Sequence, residues 1–190
     1  MKFNRNMLLP ADILAGRNLD PDAKQAKAIR ALLGSYTNHN ALILHHSIRG
    51  KCIGDTASPR SHPVDLEHYE DLINAGLYEV RIWRVPGMTM EERQKVSDYW
   101  EHNCDGVPYP DIGVYRLWVF RIVNHLPWEI AGQWCTKNTV RSFGAALPPE
   151  RDPRTRPDGK MKLNPTPRTM ENRLVAGILK DVTPMVMVDI

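Results

Sequence analysis

The sequence has few cysteines, little net charge and no long apolar run, and each of these absences excludes a class of protein. Its three cysteines are Cys52, Cys104 and Cys135. The odd number and the lack of CxxC spacing exclude a disulfide framework and a zinc site built from cysteine pairs. The 25 basic and 22 acidic residues leave a net charge of +3, so nucleic-acid binding is not expected. The most apolar stretch, residues 112–126, is shorter than the roughly 20 residues of a membrane span.

Several motifs of catalytic and cofactor-binding proteins are also missing. The chain has no GxGxxG or GxxxxGK[ST] loop for phosphates and no GxSxG turn of a serine hydrolase. It has no HExxH motif for zinc either. A metal held by His39, His45, His46 and Asp55 was the competing chemistry, but their spacing does not favour it. We therefore expect neither a cofactor nor a metal.

The N-terminus gives an expectation about location. Residues 1–12 include Lys2 and Arg5 but no apolar run of the kind found in a signal peptide. We expect synthesis in the cytoplasm without an export signal. The final location, which includes a virus particle or release by cell lysis, stays open.

The apolar pattern predicts an α+β fold. Apolar and polar residues alternate over 78–85, as in a strand covered on one face, and 41–48 has the composition of a buried strand. Thr89 and Glu92 form a capping box for a helix that follows. We expect a small, mostly antiparallel sheet packed against helices. The predicted strands are 41–48, 51–56 and 78–85, and the predicted helices are 20–34, 64–74, 89–103, 112–126, 131–144 and 170–180.

The sequence divides into three parts by composition. Residues 1–147 form the expected catalytic domain. Residues 148–168 contain six of the fifteen prolines and six basic against three acidic residues, which predicts a basic surface excursion. Residues 169–190 are read as a final helix and an apolar tail. Both 148–168 and 182–190 are candidate contacts for a protein partner.

Cys135 is the candidate nucleophile. It follows a glycine and an aromatic residue in 132–138, within the predicted helix 131–144. A thiol in the first turn of a helix has a lowered pKa, and the backbone N–H there can face a developing oxyanion. The alternative is a small buried hydrophobic residue, which is the usual role of a free cysteine.

A nucleophilic cysteine needs a base, and seven histidines compete for that role. His39 stands at the entrance of the predicted strand 41–48. His45 and His46 are neighbours within it, so they face opposite sides and only one of them can point into a site. Asp55, at the end of the next strand, is placed to orient a histidine. Its alternative is an ordinary turn aspartate.

Three segments of the first third resemble the permuted NlpC/P60 hydrolases, a papain-like family. Pro10–Leu14 resembles the family's "PGDIL" opening. Asn38–Leu44 is similar to its "sHvaiyv" strand, and Gly54–Ala57 stands where the family often has "vieA".

Three later segments continue the resemblance in the same order. Val80–Pro86 is similar to the family's "vyRvp" strand, and Gly106–Asp111 to its "G.pYd" segment. Trp134–Val140 is similar to "yCselv". The resemblance covers residues 10–146 and implies a papain-like fold with Cys135 as nucleophile, His39 as base and Asp55 as orienting residue.

Four residues depart from the family's pattern. Ala11 replaces the glycine of the opening motif, Asn40 replaces an apolar residue, and Thr136 replaces the common serine. Asp55 is one methylene shorter than the glutamate often found in relatives.

The resemblance implies a thiol hydrolase that cleaves an amide bond, with peptidoglycan peptide as the expected substrate. A second hypothesis, a lipid acyl hydrolase or acyltransferase, uses the same three residues with helix 112–126 as a lipid-facing wall. A third is a non-catalytic structural or interaction protein, for example of a virus particle, that has kept the fold. The oligomeric state is open.

Overall fold

A computed structural model describes residues 1–57, 59–109, 135–155 and 165–189 of the chain. Within these ranges the protein is α+β, with an antiparallel sheet packed against helices, which confirms the predicted class. The predicted helix 112–126 and the residues 132–134 before Cys135 lie outside the described residues. No helix in the described ranges is long and apolar enough to cross a membrane.

The strands are β1 Lys2–Phe3, β2 Ile13–Asn18, β3 His39–His46, β4 Gly50–Thr56, β5 Ser61–Val64, β6 Tyr78–Arg84, β7 Lys180–Asp181 and β8 Met187–Val188. The helices are α1 Lys24–Leu33, α2 Leu66–Asn74, α3 Met90–Asn103, α4 Cys135–Gly144, α5 Pro167–Val175 and α6 Thr183–Val186, with a 3-10 turn at Pro149–Arg151.

Six strands form one sheet in the order β5-β4-β3-β2-β6-β7, and every pairing is antiparallel. β1 and β8 form a separate two-stranded ribbon. The central strand β2 pairs with β3 on one side and β6 on the other, and it places Gly16 opposite His39. This pairing brings the start of β3 and the start of β6 to the same end of the sheet.

The sheet buries side chains on both faces because successive residues of a strand point to opposite sides. On one face, Leu42 and Leu44 of β3 pack into a core with α3, α4 and α5. On the other, Ala41 and Ile43 pack with α2, α6 and the N-terminal segment. We refer to these as the α4 face and the α2 face.

Local signals in the sequence place several element ends. The Thr89 side chain accepts a hydrogen bond from the Glu92 backbone, and the Glu92 side chain accepts one from Thr89, so the predicted capping box starts α3. Gly34 ends α1 in the left-handed conformation at φ 60°, which costs glycine little. Residue 20, in contrast, does not start α1, because the chain turns through 20–22 before the helix begins at Lys24.

Among the described strands, β1, β2, β5 and β7 have no counterpart in the sequence prediction, and β8 lies in the predicted apolar tail. β2 has four successive buried residues, 13–16, because the sheet is covered on both faces, and this removes the alternation that identifies a strand. β5 lies where no element is predicted and overlaps the predicted helix 64–74 only at Val64, which pairs with β4, so α2 begins at Leu66.

The ends of segment 148–168 are held against the body of the protein. Arg151 forms an ion pair with Glu92 at 2.7 Å, and Asp152 is 2% exposed. Thr166 caps α5, which starts at Pro167 rather than at the predicted residue 170. The described ends of the segment therefore lie against the body of the protein, and residues 156–164, most of the predicted surface excursion's middle, lie outside the described ranges. The predicted tail 182–190 forms α6 and β8.

Candidate active site

His39 and Asp55 meet on the α2 face at one end of the sheet. His39 is the first residue of β3, and Asp55 is the penultimate residue of the neighbouring β4. The Nε2–H group of His39 donates to Asp55 Oδ1 at 2.6 Å. Both side chains are largely buried, with 12% and 13% of their surface exposed. Asp55 is thus a partner of the histidine and not a solvated turn residue.

Asp55 has a second hydrogen-bond donor that the sequence did not suggest. The hydroxyl of Tyr69, from α2, donates to Asp55 Oδ2 at 2.9 Å. With one oxygen facing His39 and the other facing Tyr69, the carboxylate is held in a single orientation. Charge-assisted hydrogen bonds of this kind are stronger than neutral ones.

Cys135 reaches His39 from α4. The His39 imidazole and the Asn40 backbone N–H both lie close enough to the thiol to lower its pKa, and the Thr136 hydroxyl lies 3.8 Å from the sulfur. Because Nε2 of His39 faces Asp55, its other ring nitrogen, Nδ1, is the one available to the sulfur. The structure therefore brings all three predicted site residues together in the order Cys135, His39, Asp55.

The residues that follow His39 and Asp55 in the chain attach α4 to the sheet. Thr136 Oγ1 donates to Asn40 Oδ1 at 2.9 Å, and Thr139 Oγ1 donates to the Asn40 carbonyl at 3.2 Å. Asn138 Nδ2 donates to Thr56 Oγ1 at 3.2 Å. Asn40 and Thr56 point to the α4 face because His39 and Asp55, one residue earlier, point to the α2 face.

Sequence reasoning missed this attachment. Asn40 was noted only as a departure from an apolar pattern, whereas its side chain is fully buried against Thr136. The signal in the sequence is the run of four polar residues, 136–139, directly after Cys135.

Electrostatics favour an ion pair between Cys135 and His39. Burial acts to lower the pKa of His39, but the Asp55 carboxylate and the Cys135 sulfur outweigh it and hold that pKa well above the usual 6.5. Burial acts to raise the pKa of Cys135, but the His39 imidazolium outweighs it and brings the pKa below 9.0. Asp55 also has a lowered pKa, because His39 and Tyr69 together outweigh its burial.

The other two cysteines are chemically different. Burial raises the pKa of Cys52 and of Cys104 to about 11. Both belong to the core of the α4 face, and the charges of Arg49 and Arg141 offset their burial only in part. All three cysteines are free thiols.

His45 and His46 do not join the site, whereas the exposed His68 lines the pocket beside it. His45 is exposed and lies beside Gln94, and His46 is buried with Glu101 at 3.8 Å. Neither of these neighbours therefore points into the pocket. His62 and His102 are exposed, as predicted.

A pocket of about 530 Å³ opens beside the three residues. The turn before α1 and the first half of that helix form one wall, which includes the charged residues Asp22 and Lys24. Tyr69 and Tyr78 form another wall, with their rings edge to face at 5.4 Å between centroids. A solvent-accessible cavity thus leads directly to the Cys135–His39 pair.

No protein-family model matches the chain, and no curated protein matches it. Among solved structures, the fold is similar to the crystal structure of the metalloprotein yiiX from Escherichia coli O157:H7, DUF1105. The TM-score is 0.54 at 19% sequence identity, over 74% of this chain and 67% of that one. At this identity the similarity concerns the fold alone.

Proposed function

We propose that this protein is a thiol hydrolase of the permuted NlpC/P60 type, with a papain-like fold, that cleaves an amide bond through an acyl-enzyme. One observation carries the proposal: Cys135, whose pKa His39 lowers, and the hydrogen-bonded His39–Asp55 pair line the same open pocket. A nucleophile, a base and an orienting carboxylate in contact are the minimal set for this chemistry.

A backbone feature supports the resemblance independently of the site. Ala11 has φ 62°, and it is the one residue other than glycine with positive φ in the described ranges. The left-handed region is unfavourable for residues with a Cβ. The family's opening motif has glycine at this position, so the conformation that the motif requires is present although the glycine is not.

In the first half-reaction, the Cys135 thiolate attacks the amide carbonyl carbon, and the carbonyl π electrons move to oxygen. When the oxyanion collapses, the carbon–nitrogen bond breaks. The leaving nitrogen takes the proton from the His39 imidazolium and departs as an amine. The product on the enzyme is a thioester of Cys135.

In the second half-reaction, water attacks the thioester while neutral His39 accepts its proton. The second oxyanion collapses, the carbon–sulfur bond breaks, and the carboxylic acid leaves. The Cys135 thiolate and the His39 imidazolium are thereby restored. Asp55 keeps Nε2 of the imidazole engaged, so that Nδ1 faces the sulfur throughout.

Metal chemistry is the alternative raised by the description of yiiX as a metalloprotein. Within the described residues, no group of three His, Cys, Asp or Glu side chains is arranged to hold a metal ion. Nε2 of His39 already binds a carboxylate oxygen, and Nδ1 faces the thiol. The donor set does not fit a resident metal, so no step is assigned to one.

The resemblance suggests the substrate class, an amide bond in peptidoglycan peptide. Asp22 and Lys24 give the pocket wall one charge of each sign, which suits a peptide that carries both ammonium and carboxylate groups. Lipid esters are the alternative substrate for the same three residues.

The test is hydrolysis in ¹⁸O-labelled water, followed by mass spectrometry of the products. The purified full chain is incubated with peptidoglycan stem peptides and, separately, with acyl-ester lipids. We expect one ¹⁸O atom in the new carboxylate of a peptide product. The Cys135→Ala variant should produce none, whereas the control Cys104→Ala, on the opposite face of the sheet, should keep the activity.

Other outcomes have a defined meaning. Cleavage of lipid esters alone would support the lipid hydrolase. Peptide cleavage that survives Cys135→Ala would overturn the assigned nucleophile.

A further inference from the structure

Tyr78 is a buried tyrosine at the candidate active site whose hydroxyl has no protein partner. It is the first residue of β6, is 9% exposed and lines the pocket together with Cys135 and His39. In the described residues no hydrogen bond joins its hydroxyl to another group. The ring is buried, but the hydroxyl is open to the pocket, where a substrate can reach it.

Strand pairing shows where this hydroxyl points. Gly16 lies opposite His39 on β3 and opposite Val80 on β6. Tyr78 precedes Val80 by two residues, so it projects to the same face of the sheet as His39. The ring crosses β2 above Gly16, where an added Cβ would come within 2.7 Å of Cζ of Tyr78.

The absence of a side chain at Gly16 therefore allows the ring to extend from β6 towards β3. Of the Tyr78 side-chain atoms, the hydroxyl oxygen lies closest to the position that a Cβ on Gly16 would occupy. It ends about one strand spacing, roughly 5 Å, from the backbone of His39. Asp55 occupies the opposite side of His39, on β4.

We propose that the Tyr78 hydroxyl donates the hydrogen bond that stabilises the oxyanion formed when Cys135 attacks its substrate. The inference rests on the proposed thiol hydrolase function and adds a catalytic residue to it. In the step concerned, the sulfur–carbon bond forms and the carbonyl π pair moves to oxygen, which accepts the hydrogen bond. The tyrosine keeps its proton throughout, so its charge does not change.

The state of the phenol suits a donor. Burial, opposed by the His39 imidazolium, raises the pKa of Tyr78 to about 12, so the hydroxyl is protonated at neutral pH. An oxyanion is a stronger acceptor than the ground-state carbonyl, and a single positioned donor of this kind contributes about 10²–10³-fold to the rate.

Tyr69 provides the contrast within the same wall. Its hydroxyl is already bonded to Asp55, so it is not free to contact a substrate. The two rings pack edge to face, but the Tyr69 hydroxyl donates to Asp55 and the Tyr78 hydroxyl faces the cavity. Tyr69→Phe should therefore affect the His39–Asp55 pair, and Tyr78→Phe should affect the carbonyl step.

Two reactions of Cys135 separate these roles. Iodoacetamide alkylation is a displacement at carbon that forms no oxyanion, so its rate reports the thiolate alone. Acylation by p-nitrophenyl acetate passes through an oxyanion, and its leaving group needs no proton from His39. Both rates are measured at Cys135 by mass spectrometry, in wild type, Tyr78→Phe and the control Tyr99→Phe, whose ring packs on the α4 face.

We expect Tyr78→Phe to lower the acylation rate about 100-fold and to leave the alkylation rate within about twofold, with Tyr99→Phe unchanged in both. Phenylalanine retains the ring stack on Tyr69, and circular dichroism checks the fold. Equal acylation in wild type and Tyr78→Phe would overturn the inference but leave the hydrolase proposal intact. A parallel fall in both rates would also overturn it, because Tyr78 would then act on the thiolate.

If wild-type Cys135 is neither acylated nor alkylated faster than Cys52 and Cys104, the proposed function itself fails. That result is distinct from the two above.

Discussion

The three cysteines of this chain allow a test of the Cys135–His39 pair with internal controls. Burial raises the pKa of Cys52 and Cys104, and the charges of Arg49 and Arg141 offset it only in part, whereas His39 lowers the pKa of the equally buried Cys135. The perturbation is His39→Ala, which removes the cation and leaves the burial. The folded protein is alkylated with iodoacetamide between pH 5 and pH 9, and mass spectrometry gives the rate at each cysteine.

The expected difference follows from the thiolate fractions. A thiol with a pKa of about 11, as for Cys52 and Cys104, is about one part in 10⁴ thiolate at pH 7. Cys135 has a pKa below 9.0, so its thiolate fraction at pH 7 exceeds about one part in 100. The advantage in thiolate is therefore at least about 100-fold.

Nucleophilicity offsets part of this advantage. With a Brønsted coefficient of about 0.4–0.5, two pKa units cost roughly tenfold in the reactivity of the thiolate itself. The net prediction for wild type at pH 7 is alkylation of Cys135 at least about tenfold faster than of Cys52 or Cys104. Access from the pocket adds to this difference, since the other two thiols belong to a closed core.

In His39→Ala the advantage should disappear. Burial then dominates the environment of the Cys135 sulfur, and its titration should move towards the range of the other two thiols. The same measurement in 8 M urea should give equal rates for all three. A titration of Cys135 that is the same in wild type and His39→Ala would refute the thiolate–imidazolium pair and favour the non-catalytic role.

Four further outcomes are expected. Asp55→Ala and Asp55→Asn should each lower hydrolysis by about 10⁴-fold, because neither side chain stabilises the His39 imidazolium and the amide can turn its NH₂ group towards Nε2; steady-state kinetics on a cleaved peptide decide this. The pKa of Asp55 is below 3.8 in the folded protein, so the carboxylate stabilises the fold above pH 3.8, and this contribution is lost as the pH falls through the folded pKa. Urea unfolding at several pH values should show this loss in wild type and not in Asp55→Ala. Ala11→Gly should raise the free energy of unfolding by about 1 kcal/mol by relieving the left-handed alanine, and an unchanged urea midpoint would contradict this. Asp12→Asn should destabilise by about 3 kcal/mol or more, because Asp12 is fully buried and accepts hydrogen bonds from two arginines.

Several features of the fold could be predicted because they depend on neighbouring residues. The capping box at Thr89, the left-handed stop at Gly34 and the alternation of β6 are each complete within one short segment. β2 could not be predicted in this way, because both of its faces are covered by parts of the chain that come later in the sequence.

The candidate site shows the same division. The sequence alone determines that three cysteines cannot form a disulfide framework and that Cys135 stands in a segment suited to a nucleophile. The resemblance, rather than any local pattern, indicated His39 over the neighbouring pair His45 and His46, and the catalytic roles themselves stay predictions. The contact between Cys135, His39 and Asp55 depends on strand register and helix packing, which the sequence does not display.

Tertiary structure alone decided which polar groups face each other at the site. The β3–β4 register brings Asp55 to His39, and the attachment of α4 to Asn40 brings Cys135 there from the other face of the sheet. α2 and β6 bring Tyr69 and Tyr78 to the site. The Tyr69 hydroxyl donates to Asp55, whereas Tyr78 lines the pocket. Composition and spacing can nominate such groups, but hydrogen bonding and desolvation act between residues far apart in the chain, so their state is set by the fold.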